Sequence, residues 1–223
     1  MKLKNKILRI TCDGGAATGK STGAKLIAKK YKLAFLSSGL LYRYSSYLIL
    51  RYKPKNNIIF LKKKFKKLKY RKLNHINLHT SEISDYSADI AKIPSVRKIL
   101  KKYQKDFIKK NKGCVLEGRD SSTKILPSSD VKFFFVCDLN VAAKRRFKEL
   151  KKKSKNINFF EVKKALFKRN MMDKSRSISP LQKHRDAVVV NTTKIDKRTM
   201  VTKMSKHVER ILKKKYGNRA RNK

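Results

Sequence analysis

A strand-length apolar run, Ile7–Cys12, leads almost directly into Gly14-Gly15-Ala16-Ala17-Thr18-Gly19-Lys20-Ser21-Thr22, and an amphipathic stretch, AKLIAKKY, follows. This fits G-x-x-x-x-G-K-[ST], the spacing of a phosphate-binding loop, or P-loop. No other feature constrains the chain as much. Small residues let the backbone curl so that its N–H groups converge on phosphate oxygens. The next helix, expected to start near Lys20, adds its free N–H groups and the positive end of its dipole. Lys20 is placed to reach the β- and γ-phosphates, and Ser21 or Thr22 to orient a hydrated Mg²⁺. A Gly-rich turn can also join strand to helix for architectural reasons alone. Here the strand–loop–helix context favours binding of a nucleotide through its phosphates. It does not name the reaction, because kinases, GTPases and helicases share it.

Downstream, short apolar runs alternate with helical patterns. The strands expected are Ile7–Cys12, Leu33–Leu36, Cys114–Leu116, Val131–Val136 and Ala187–Val190. After Pro94, Val96, Ile99, Leu100, Tyr103 and Phe107 fall on one face of a helix. Asn140 is the expected N-cap of the helix containing AAKRRFKEL, and Asp196 that of a last helix running to about Lys215. Strands separated by helices pair in parallel and are covered on both faces. The expected fold is α/β: a three-layer sandwich around a five-stranded parallel sheet, in a single domain of 223 residues.

Charge is extreme. Sixty-one Lys and Arg against 15 Asp and Glu give a net +46. Such a balance excludes an acidic, solvating protein and directs attention to anionic partners. Yet 46 of the basic residues are Lys, and exposed Lys accumulates at little cost because its ammonium stays hydrated on a long stem. The Lys53–Lys72 stretch holds ten basic residues and no acidic one; a second cluster spans Lys144–Lys155. Neither matches a nucleic-acid-binding module, and a solvated face is the expected identity of the first. Cys12, Cys114 and Cys137 are three in number with no metal-ligand spacing, which points to reduced thiols and a cytoplasmic setting. The start shows no signal-peptide pattern, and no run reaches the ~18 apolar residues of a membrane helix. His75 and His79, four apart, read as surface or packing histidines rather than metal ligands. The tail, 217–223, is polar and basic and is expected to fray.

Three further segments narrow the reaction: Ser38-Gly39-Leu40-Leu41-Tyr42-Arg43; Gly118-Arg119-Asp120; and Arg169, Asp173 and Arg176 ahead of Ser179-Pro180-Leu181 and Asp186-Ala187. With the P-loop, in that order, they make the chain resemble the bacterial cytidylate kinases from roughly Ile7 to Leu212. The resemblance implies ATP-dependent, Mg²⁺-requiring transfer of a phosphoryl group to CMP or dCMP. It also implies a core (1–50, 93–150 and 177–216), a nucleoside-monophosphate-binding insert near 51–92 and a mobile lid near 151–176. By the same analogy Ser38, Arg97 and Asp120 would face cytosine, whose C4 amino group a carboxylate can accept. Arg169 and Asp173 would hold the sugar. Arg43, Arg119 and Arg176 would clamp phosphates, with Tyr42 beside them; Lys20, Arg119, Arg169 and Arg176 would act on the transferring group. Ser21 and Glu117 would hold the metal through water. No dedicated nucleic-acid or membrane partner is expected, and the chain is expected to act as a monomer.

The chain departs from the family pattern in several places. Ser37 and Glu117 stand where Asp is usual, and Ala88 where Ser is usual. Met171, Met172 and Lys174 replace charged lid residues, and Ser121-Ser122 interrupts a small apolar stretch. Two rival readings remain at this level: another P-loop kinase with a small non-nucleotide acceptor, and a basic nucleic-acid-binding protein with a residual P-loop.

Overall fold

Five parallel strands form one sheet in the order β2-β3-β1-β4-β5, in a computed structural model that describes residues 7–152 and 156–217. The strands are β1 (Arg9–Gly14), β2 (Ala34–Ser37), β3 (Cys114–Gly118), β4 (Val131–Val136) and β5 (Val188–Asn191). Eight α-helices are described: α1 (Lys20–Lys30), α2 (Ser38–Tyr52), α3 (Asn57–Lys66), α4 (Ser81–Ile90), α5 (Pro94–Lys110), α6 (Leu139–Lys151), α7 (Phe159–Ser175) and α8 (Lys197–Tyr216). The α/β expectation holds. Each expected strand is present, shifted by at most two residues at either end. The largest shift carries β1 into the first P-loop glycine.

Alternation along β3 shows why both faces need cover. Val115 packs with Ile27 of α1 and Met204 and Val208 of α8. Cys114 and Leu116 point the other way, into a core with Leu41 and Leu48 of α2 and Leu100 of α5. A third, smaller cluster joins Ala142 and Ala143 of α6 to Leu166 of α7, with Ala16 and Ala17 of the P-loop against it. No helix among the described residues is long and apolar enough to cross a membrane.

Helix boundaries follow from caps. Asp196 caps α8, its carboxylate accepting from Thr199 N at 2.7 Å. The cap of α6 is Asp138 rather than the expected Asn140: its carboxylate accepts from Val141 N at 3.0 Å, two residues earlier. An ionised acceptor also suits the positive end of a helix better than a neutral amide. The helix after Pro94 is α5, but its buried stripe is Val96, Arg97, Leu100, Gln104 and Ile108. Ile99, Tyr103 and Phe107 are only partly buried, flanking that stripe. Two polar side chains thus occupy positions that an apolar pattern passes over.

The segment expected as the insert contains α3, a 3-10 turn (Tyr70–His75) and α4, while α7 lies within the segment expected as the lid. Residues 153–155 of the second basic cluster and 218–223 of the tail lie outside the described residues.

Candidate active site

Parallel strands send all their C-terminal ends to one edge, and loops there converge on ligands. The P-loop leaves β1 at that edge. Gly14, with φ 150°, has no room for a side chain, since a Cβ would lie 2.4 Å from the carbonyl oxygen of Phe135. Gly19, with φ 78°, caps α1 in the left-handed region. Ala17 also has a positive φ, 55°, a conformation that costs a residue with a Cβ about 1–2 kcal/mol. Thr18 Oγ1 donates to Gly15 O at 3.0 Å, and Thr192 Oγ1 donates to Thr18 O at 2.9 Å. These bonds brace the loop on both sides. Ser21 and Thr22, in the first turn of α1, line the cleft.

Lys20 is buried and ion-paired with Glu117 at the end of β3. Ser37 Oγ donates to the other oxygen of Glu117 at 2.5 Å. Register explains the meeting: Ser37 and Glu117 are partners across β2 and β3, and Cys12 pairs with Glu117 across β1 and β3. Burial alone would raise the Glu117 carboxyl, but the charge and hydrogen bond of Lys20, with the Ser37 bond, pull it down to about 2. The two family departures therefore touch: Ser37 neutralises one usual carboxylate and donates to the other, longer one.

After β3, Arg119 and Asp120 diverge. Arg119 Nε donates to Asp173 Oδ2 at 2.7 Å. Arg169 Nε lies 3.6 Å from the same oxygen, and Arg176 Nη1 lies 3.4 Å from Asp173 Oδ1. Burial opposes ionisation of Asp173, but these arginines hold its carboxyl below the usual range. Arg169 also donates to Ser84 O on α4 at 2.7 Å, tying α7 to α4. Asp120 is ion-paired with the buried Arg97, which donates to Ala91 O at 3.1 Å and lies 5.7 Å from the Tyr42 ring centroid. Burial pushes the Tyr42 hydroxyl up to about 12. Ser38 Oγ donates to Gln104 Oε1 on α5. Arg43 lies 3.2 Å from His79 Nδ1, and burial together with Arg146, Arg169 and Arg119 lowers it to about 10. Residues 16–22 of the P-loop, Ser38, Tyr42, Arg43, Glu117, Arg119, Asp120, Arg169, Asp173 and Arg176 all line one cleft of about 1410 Å³.

Four participants carry no motif. Gln104 buttresses Ser38, and its only sequence signal is its place two turns beyond Arg97 on the same buried stripe of α5. Asp13, fully buried, accepts from Ser121 N (2.8 Å), Ser122 N (2.7 Å) and Ser122 Oγ (2.6 Å), fixing the turn after Gly118-Arg119-Asp120. Asn170 accepts from Ala16 N in the P-loop at 2.9 Å. Arg145 of α6 donates to Thr192 Oγ1 at 3.0 Å and Thr192 O at 2.7 Å, beside the P-loop. Among the departures, Ala88 makes no described polar contact, while Ser87 turns its hydroxyl back to Ser84 O at 2.7 Å. Met171 is exposed.

A P-loop on this parallel sheet, sharing one cleft with Arg119 just after β3, Arg169 on α7 and Arg176 just after it, defines a P-loop phosphotransferase of the small-molecule kinase kind. A family model described as cytidylate kinase matches residues 10–210. The cytidylate kinase of Thermosipho melanesiensis is 35% identical over 218 residues, covering 92% of this chain and 95% of that protein. That of Bartonella tribocorum is 36% identical over 191 residues, covering 83% and 87%. That of Mesomycoplasma hyopneumoniae is 31% identical over 222 residues, covering 92% and 95%. A crystal structure of an uncharacterised protein from Eubacterium ventriosum shares the fold, with a TM-score of 0.52 at 14% identity over 91% of this chain and 98% of that one. The chain belongs to the cytidylate kinase family.

Proposed function

We propose that the chain transfers the γ-phosphoryl group of ATP to CMP or dCMP, giving CDP or dCDP. The observation that carries this reading is the cleft lined by the P-loop, Arg119, Arg169, Arg176 and Asp120, with the buried Arg97 ion-paired behind Asp120. Family membership supports the same reaction. An acceptor phosphate is already ionised near neutral pH, so no general base is needed. The work is to bring two polyanions into line and spread charge in a loose transition state. Lys20 and the arginines supply that positive field, with guanidinium groups offering planar, paired donors. Asp120 would accept from the cytosine amino group, Arg169 and Asp173 would hold the sugar, and Arg43, Arg119 and Arg176 the phosphates.

Mg²⁺ fits the oxygen donors present. It binds through few carboxylates, retained water and substrate phosphates, and Ser21 and Glu117 both line the cleft. Ser21 and Glu117 would hold it through water. When bound, it neutralises charge on the β- and γ-phosphates. In this reading α3 and α4 belong to the acceptor-binding insert and α7 to the lid, whose closure excludes water as a competing acceptor. The three cysteines are unpaired and two are buried, which suits the reducing cytoplasm.

The test is direct. Purified protein with ATP and Mg²⁺ is offered CMP, dCMP, UMP, AMP and GMP, and nucleoside diphosphates are measured. CMP or dCMP should turn over far faster than the purines. No turnover with any pyrimidine monophosphate overturns the reading.

A further inference from the structure

The phosphate loop and the acceptor-facing arginines belong to different parts of the chain, and one side chain joins them. Asn170 lies on α7 between Arg169, which reaches α4 through Ser84 O, and Asp173, which gathers Arg119 and Arg176. Its own oxygen accepts from the N–H of Ala16 at 2.9 Å, 154 positions away. The approach is close: a Cβ on Gly15 would lie 3.1 Å from that oxygen. Beside this bond, Ala16 and Ala17 pack against Ala142, Ala143 and Leu166, so polar and apolar contacts seat the same helix on the same loop. Ala17 holds a left-handed backbone within that seat. Such a conformation persists only where surrounding structure over-determines it.

We propose that Asn170 is a positioning residue that seats α7 on the phosphate loop, so that nucleotide in the loop sets where Arg169, Asp173 and Arg176 stand toward the acceptor. The proposal rests on the kinase reading above and adds a link between its two substrate sites. The loop conformation that cradles phosphate is the one to which Asn170 bonds. Whatever stabilises that conformation stabilises the seated helix, and the linkage is reciprocal. One neutral hydrogen bond sets the scale of the effect, about 2–10-fold in affinity. Asn also suits the position electrostatically. Asp would accept the same N–H but place a negative charge beside an incoming triphosphate.

The experiment uses the full chain as wild type, Asn170→Ala, Asn170→Ser and Asn170→Asp, with Lys174→Ala as an exposed control on α7. CMP affinity is measured by calorimetry with and without a saturating non-hydrolysable ATP analogue. Wild type and control should bind CMP about 2–10-fold more tightly with the analogue. Asn170→Ala and Asn170→Ser should lose that gain yet bind CMP alone as wild type does. Asn170→Asp should raise KM for ATP and leave CMP binding without the analogue unchanged. An intact gain in the Ala and Ser variants overturns the proposal. So does an equal loss of CMP affinity without the analogue, which marks a merely structural role.

Hydrogen exchange of α7 with the analogue alone separates this proposal from the kinase reading. The analogue should slow exchange in wild type and not in Asn170→Ala, whichever acceptor the enzyme uses. Equal slowing in both overturns the seat, whereas absence of CMP turnover in wild type overturns only the kinase reading.

Discussion

Ser122 Oγ donates to Asp13 Oδ2 at 2.6 Å across 109 positions of sequence, and the Ser121 and Ser122 amides complete the cage around that carboxylate. The turn carrying Arg119 and Asp120 is therefore pinned to the strand that enters the P-loop. A departure from the family pattern has become an extra tether. Ser122→Ala should cost about 1 kcal/mol, the range for one intramolecular hydrogen bond, and should lower kcat through the loosened turn. Urea denaturation and the CMP assay measure the two effects. Unchanged stability would show that the hydroxyl adds nothing to the two amides.

Lys20→Ala should remove phosphoryl transfer by a factor of about 10²–10³, the scale of losing one charge-stabilising donor. It should also destabilise the fold by about 3–5 kcal/mol, because Glu117 is left buried without its cation. Adding Glu117→Gln should restore much of the stability and none of the activity. Denaturation and turnover across this double-mutant cycle separate the two roles.

Glu117 also sets a pH dependence. Its carboxyl is depressed to about 2 from an ordinary value of 4.5, so its ionised form is favoured by folding. The contribution is fully present above about pH 4.5, and falls away as pH drops toward 2. The stability gap between wild type and Glu117→Gln should therefore narrow between pH 5 and pH 3. A gap constant over that range contradicts the assignment.

Asp120→Asn should relax base choice. An amide can present N–H to the uracil oxygen where a carboxylate cannot, so the preference for CMP over UMP in kcat/KM should shrink about 10-fold or more. An unaltered ratio means that Asp120 does not read the base.

Gly23, outside the P-loop pattern, makes room on α1 for the side chains of Phe135 from β4 and Met200 from α8. A Cβ there would lie 2.8 Å from Phe135 Cζ and 3.3 Å from Met200 Sδ. Gly23→Ala should cost about 1–3 kcal/mol through overpacking despite its better helix propensity. A rise in Tm would show that Phe135 moves aside freely.

Local patterns carried the P-loop, the strands and the cap at Asp196, because each depends on neighbours in sequence. The burial of Arg97 was hidden for the opposite reason. Its partner Asp120 follows β3, and inside α5 Arg97 takes a buried place where periodicity seeks an apolar side chain. Asp13, Gln104 and Asn170 were illegible in the same way. Each acts through a contact made only once distant segments pack, and none belongs to a spacing. The cap of α6 was misplaced by two residues because Asp138 and Asn140 both carry short acceptor side chains, and only the path of the chain out of β4 selects between them.

The crowd of guanidinium groups in the cleft has a consequence beyond chemistry. Arg119, Arg169 and Arg176 share the single carboxylate of Asp173, and Arg43 is held to about 10 by burial and by other arginines. Gathering these like charges is work done by the folding chain before any phosphate arrives to discharge it. Nucleotides therefore act on this protein as folding ligands as well as reactants. Its lifetime against unfolding and proteolysis should lengthen when nucleotide fills the cleft.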